Sequence, residues 1–147
     1  MRQKVKEYLK KYVKDQGYVV EIGSGECIAD LFEEADDFCK IDMHRGVGID
    51  IVSDFVDIDR LFDYEPDTIV CVDLFAHTKR YKKVISAIRD TLIPGGFIIV
   101  FFPKTDGGSY IDSLFNGYEV FDVSTDDTMI CGIAMKPYRI THDPKTD

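Results

Sequence analysis

Apolar residues follow two different spacings along this chain. Val5, Tyr8, Leu9, Tyr12 and Val13 recur every three or four residues, which predicts an amphipathic helix over about residues 2–15, ended by Gly17. Residues 18–22, 38–42, 47–52, 68–73 and 97–102 are short, nearly unbroken apolar runs and predict buried strands. Between them, Cys27, Ile28, Leu31, Phe32 and Ala35 repeat at helical spacing, as do Tyr81, Val84, Ile85, Ile88 and Leu92. Ile58, Leu61 and Phe62 suggest a short helix or turn. Pro94, Gly95 and Gly96 break the helix before them. A glycine-bearing loop, 104–108, leads to a short helix over Tyr110, Ile111, Leu114 and Phe115. Runs 118–123 and 128–135, joined by the turn residues 124–127, predict an antiparallel hairpin. Strands alternating with helices predict an α/β domain around a mostly parallel sheet, and the hairpin adds an antiparallel edge.

Composition narrows the picture only a little. With 147 residues, 45% of them hydrophobic, the chain is expected to be one domain, with residues 1–16 as its N-terminal helix and 138–147 as a loose polar tail. No apolar run approaches the roughly 20 residues of a membrane span, and residues 1–16 are charged throughout, unlike a signal peptide. The expectation is a cytoplasmic protein with no membrane partner. A net charge of −9 argues against a DNA footprint, which requires clustered Lys and Arg. The basic stretches 4–14 and 79–83 read as solvated helix faces. The four cysteines and three histidines show no metal-ligand spacing, so buried reduced thiols and no metal are expected.

The chemistry concentrates at strand ends. The first strand runs through Glu21 into Gly23 and Gly25, a turn that leaves the backbone bare before a predicted helix. A dinucleotide-binding turn places its third glycine where this chain has Ile28. A carboxylate beside the turn repels a pyrophosphate and favours a ligand carrying an ammonium or sulfonium. The second strand ends in Asp42, 21 residues after Glu21, close to the roughly 20 expected of an acid that holds ribose hydroxyls. Asp54 follows the third strand, where it has the chemistry to accept from an adenine amino group.

These segments together resemble the class I S-adenosylmethionine-dependent methyltransferases, over about residues 18–100. The resemblance is carried by "VVEIGSGE", "KIDM", "DIVSDFVDI", "DTIVCVDLFAH" and "AIRDTLIPGGFIIV". It implies a Rossmann-like, mostly parallel seven-stranded sheet with helices on both faces and a C-terminal antiparallel hairpin. It further implies that Gly23 and Gly25 admit the methionine part of S-adenosylmethionine, with Glu21 facing its ammonium. Asp42 would hold the ribose, Asp54 the adenine amino group with Phe55 beside the ring, and Asp73 and Leu74 the methionyl end. His77 matches the histidine of an E-H pair whose acid is Ala76 here. Between the second and third strands only residues 43–46 remain, whereas parallel neighbours ordinarily need a crossover of a dozen residues or more. Asp50 is therefore the alternative ribose acid.

Methyl transfer from a sulfonium needs alignment more than chemical groups. His77 and, second, Asp73 are the candidate bases. The acceptor is expected to be a small molecule or a protein. The chain carries no obvious lid, so a second copy, a partner subunit or the acceptor itself would cover the site. Two alternatives stay open: a non-catalytic binding or scaffold protein of this fold, and, less favoured because of Ile28, an NAD-binding oxidoreductase.

Overall fold

The computed structural model describes residues 1–23 and 27–138, the side chains of Ala76 and His77 excepted. Seven strands form one sheet: β1 (Tyr18–Ile22), β2 (Asp37–Asp42), β3 (Ile51–Val52), β4 (Thr68–Val72), β5 (Phe97–Pro103), β6 (Glu119–Thr125) and β7 (Met129–Met135). Their order across the sheet is β3-β2-β1-β4-β5-β7-β6. The first five strands are parallel, and β7 runs antiparallel to both β5 and β6. The central strands bury both faces, which explains why they read as continuous apolar runs rather than alternating ones.

Helices cover both faces. On one side α2 (Tyr81–Thr91) and α3 (Lys104–Phe115) bury Val84, Ile88, Ile111 and Leu114 against Val20, Ile69, Cys71, Ile98 and Val100. On the other, α1 (Arg2–Tyr12) buries Val5, Tyr8 and Leu9 against Val19, Val70, Ile99 and Ile133. Ile28 and Phe32 complete that second layer.

Four predicted elements differ. The helix expected over residues 27–35 is a three-residue 3-10 turn, Ala29–Leu31. Ile28 and Phe32 still reach the core from irregular chain, and α1 supplies the regular helix on that face. The glycine loop 104–108 is instead the first turns of α3. Gly107 fits there because a β-carbon would come within 2.2 Å of Ile130 Cγ2 and 2.9 Å of Phe102 Cβ, so its bareness lets the helix lie close on β7. The third strand has two residues rather than six. That shortness resolves the missing crossover: β3 pairs only with the tip of β2, Ile41 with Ile51 and Asp42 with Val52, so eight intervening residues are enough to return. The helix at the N-terminus also stops at Tyr12 rather than near residue 15, with Val13 already extended. Asp15 Oδ1 accepts the Gly17 N–H at 3.1 Å in the turn that follows.

All four cysteines are free; Cys39, Cys71 and Cys131 are buried and Cys27 is half-buried. Among the described residues no helix is long and apolar enough to cross a membrane.

Candidate functional site

The strand register gathers the predicted acids along one edge of the sheet. Ile22 lies beside Ile41 on β2 and Cys71 on β4, so Gly23 and Asp42 leave their strands at the same level, and Asp73 follows one residue further along β4. The Ser53 N–H donates to the Asp42 carbonyl at 3.0 Å, which sets Asp54 one strand further out. With neighbouring strands about 4.8 Å apart, the row from Asp54 to Asp73 spans roughly 14 Å, the reach of an extended nucleoside with a short chain attached. This is the carboxyl-end crevice where open α/β sheets take ligands.

Gly23 is the centre of that row and is demanded by the fold. Its φ is +117°, and a β-carbon there would lie 2.1 Å from the Val72 carbonyl oxygen and 3.2 Å from Leu74 Cβ. Its N–H donates to the Ile41 carbonyl at 3.2 Å. The bare backbone thus first admits the end of β4. Gly25 lies outside the described residues.

Asp73 follows β4 in a left-handed conformation, φ +45° and ψ +38°, and is the one non-glycine residue with positive φ among those described. Its N–H donates to the Phe101 carbonyl at 2.8 Å. Non-glycine residues adopt this conformation at a cost and concentrate at functional sites. The 3-10 turn Leu74–His77 starts there. Leu74 is buried beside Gly23. The backbone of His77 closes the turn; its side chain lies outside the description.

The two ribose candidates separate cleanly. Asp50 is bound to the open edge of β2: its N–H donates to the Lys40 carbonyl at 2.9 Å and its Oδ2 accepts the Lys40 N–H at 2.8 Å. A side-chain oxygen therefore continues the ladder where β3 is too short to do so. Asp42 ends the strand, half-buried, with Oδ1 accepting the Met43 N–H at 2.6 Å and no partner for Oδ2 among the described residues. Asp54 is exposed and caps the 3-10 helix Phe55–Arg60 by accepting the Val56 N–H at 3.1 Å. Phe55 points into the core.

Glu21 is placed differently from the other acids. Its side chain is fully buried, its Oε2 pairs with Lys40 Nζ, and its Oε1 accepts the Ile28 N–H at 3.0 Å. Lys40 is equally buried. Sequence reading missed this lysine, although a charge between Cys39 and Ile41 in a buried run is itself a sign that a partner must exist. The Cys71 thiol, near the end of β4, is driven up by burial and stays protonated, so it is no nucleophile for this site.

The fold is that of the class I methyltransferases. N-methyltransferase NodS from Bradyrhizobium japonicum WM9, in complex with S-adenosyl-L-homocysteine, matches with a TM-score of 0.71 at 15% identity, over 92% of this chain and 85% of that one. A putative type 11 methyltransferase from Sulfolobus solfataricus matches with a TM-score of 0.67 at 17% identity, over 94% and 95%. The [4+2]-cyclase SpnF matches with a TM-score of 0.69 at 13% identity, over 92% and 80%. No family model matches the chain, and no curated protein sequence does.

Proposed function

We propose that this protein binds S-adenosylmethionine at the carboxyl ends of β1 to β4 and transfers its methyl group to a small-molecule or protein acceptor. The observation that carries this reading is the row Asp54, Asp42, Gly23, Asp73 across four consecutive strand ends, on a sheet whose structural relatives include methyltransferases. The residues present fit such a ligand. A carboxylate with one oxygen unpartnered among the described residues, at the end of β2, suits vicinal ribose hydroxyls. Asp54, on the exposed rim, suits an exocyclic amine. The strained Asp73 and the close-packed Gly23 present backbone to the methionyl end.

The cofactor supplies an electrophilic methyl on a sulfonium. The chain's task is to hold acceptor and methyl in line, where most of the rate arises. His77 is the candidate base for an acceptor that must lose a proton, and Asp73 the second. A homo-oligomer or partner subunit would supply the missing cover. A second reading, a binding protein of this fold without methyl transfer, draws support from the burial of Glu21 away from the row and from a cyclase sharing the fold. The antiparallel β7 inserted between β5 and β6 departs from the 3-2-1-4-5-6 order of dinucleotide-binding sheets, which weakens the NAD reading.

Calorimetric titration with S-adenosylmethionine and S-adenosylhomocysteine, with NAD as control, tests the proposal. Micromolar binding of the first two, at least about tenfold weaker in Asp42→Ala, is the expected result. No binding at millimolar ligand would overturn it. Methyl transfer to candidate acceptors then separates the enzyme from the binding protein.

A further inference from the structure

The Lys40–Glu21 pair is an unusual feature for a sheet interior. The two residues face each other in the β1–β2 register, and neither side chain has any exposed surface. Burying two ions carries a large desolvation cost, and a well-packed apolar pair is often as stable or more so. Two registers away the same face holds such a pair, Val19 beside Phe38. What the ionic pair does and an apolar pair cannot is hold a backbone group: Glu21 Oε1 accepts the N–H of Ile28, seven residues on, at 3.0 Å. Ile28 itself is fully buried. The chain therefore leaves the sheet after Gly23 and is fastened to it again at Ile28. Ordinarily a crossover helix fixes the chain that follows the first strand. Only the 3-10 turn Ala29–Leu31 follows here, so the carboxylate takes over that task.

We propose that Lys40 is a positioning residue of the ligand site. It neutralises Glu21 inside the protein and orients the carboxylate toward Ile28; that anchoring of Ile28, rather than the charge of Glu21, is what the ligand site beside Gly23 requires. The ligand part of this inference rests on the S-adenosylmethionine reading; the anchoring part does not. Two consequences follow. Lys40 affects affinity although it is too buried to touch a ligand. A neutral side chain of the same shape at position 21 suffices once Lys40 is also neutral.

The test compares wild type, Lys40→Met and the double variant Glu21→Gln/Lys40→Met by amide hydrogen exchange at Ile28 and by calorimetry with S-adenosylhomocysteine. Circular dichroism checks folding. Lys40→Met strands a buried carboxylate; the expected result is at least tenfold faster exchange at Ile28 and at least tenfold weaker binding. In the double variant the glutamine oxygen still accepts the Ile28 N–H, and both readouts are expected within about threefold of wild type. A folded double variant that stays tenfold weak would overturn the inference, because the charge of Glu21 would then be what the ligand needs. Unchanged exchange and affinity in Lys40→Met would overturn it as well. If Lys40→Met fails to fold, the double variant alone decides by the same criteria. A wild type that binds no S-adenosylhomocysteine sinks the cofactor reading, while exchange at Ile28 still decides whether the pair anchors Ile28.

Discussion

At the scale of single residues, two glycines show how position decides cost. Gly23→Ala adds a β-carbon 2.1 Å from a carbonyl oxygen that belongs to β4, in a backbone conformation of φ +117°. Neither the strand nor the turn can yield without opening the row of strand ends. The expected loss is about 3 kcal/mol or more, read as a lower urea midpoint, together with loss of S-adenosylhomocysteine binding. Gly108→Ala makes the opposite case: the position is helical, and no atom lies within 4 Å of the added carbon. It is expected to stabilise by up to about 1 kcal/mol, the helix-propensity difference. Equal effects from the two variants would show that the Gly23 contact is not what fixes the turn. The acids at strand ends were legible in the sequence because each follows an apolar run directly. The pairing of Glu21 with Lys40 was not, because it depends on register between β1 and β2, which neither run reveals alone.

At the scale of elements, α1 is tied to the far edge of the sheet by polar contacts centred on Asp122, from Tyr8 and, at 3.8 Å, from Lys4. Tyr8 Oη donates to Asp122 Oδ2 on β6 at 2.6 Å, and Ser124 Oγ donates to the same oxygen at 2.7 Å. Burial, Asp122 and Cys131 push the phenol up, so it stays a donor throughout the usual pH range. For Asp122, burial acts to raise its pKa, but the hydrogen bonds from Tyr8 and Ser124 and the nearby Lys4 and Lys11 outweigh it and hold the carboxyl below its ordinary value. A depressed folded-state pKa stabilises the protein above the unfolded value, near 4, and the contribution is lost as pH falls through the folded one. Tyr8→Phe is therefore expected to cost about 1–2 kcal/mol at pH 7 and progressively less toward pH 3, measured by urea unfolding at both. A gap independent of pH would mean that packing, not the Asp122 charge, carries the contact. Element types were legible where an apolar run or stripe stood alone, as in β4, β5 and α2. They failed in two places for physical reasons. Residues 27–35 have helical spacing but end in Glu33, Glu34, Asp36 and Asp37, acids at the end where a helix dipole disfavours them. Residues 104–108 have two helix-weakening glycines, yet close packing on Phe102 and Ile130 overrides propensity.

At the scale of the whole molecule, the candidate site is a seam between strands rather than a pocket within one element. Asp54, Asp42, Gly23 and Asp73 follow β3, β2, β1 and β4, which are neighbours in the sheet. Three of the four are carboxylates on a chain of net charge −9. A ligand that spans the seam would link four strands, of which β3 contributes only two residues to the sheet. Its binding energy is then felt by the cooperative unit and not by one loop. At a hundred times its Kd, S-adenosylhomocysteine is expected to add about 2.7 kcal/mol to the stability of the folded state. For a chain of this size that corresponds to a rise of roughly 8 °C in Tm, measured by differential scanning fluorimetry across a ligand series. On the proposed reading adenosine would reach only the Asp54–Asp42 end and should need far higher concentration for the same shift. NAD should give none. A shift with adenosine equal to that with S-adenosylhomocysteine at matched concentration would show that the Gly23–Asp73 end takes no part in binding, and that the seam reads a nucleoside alone.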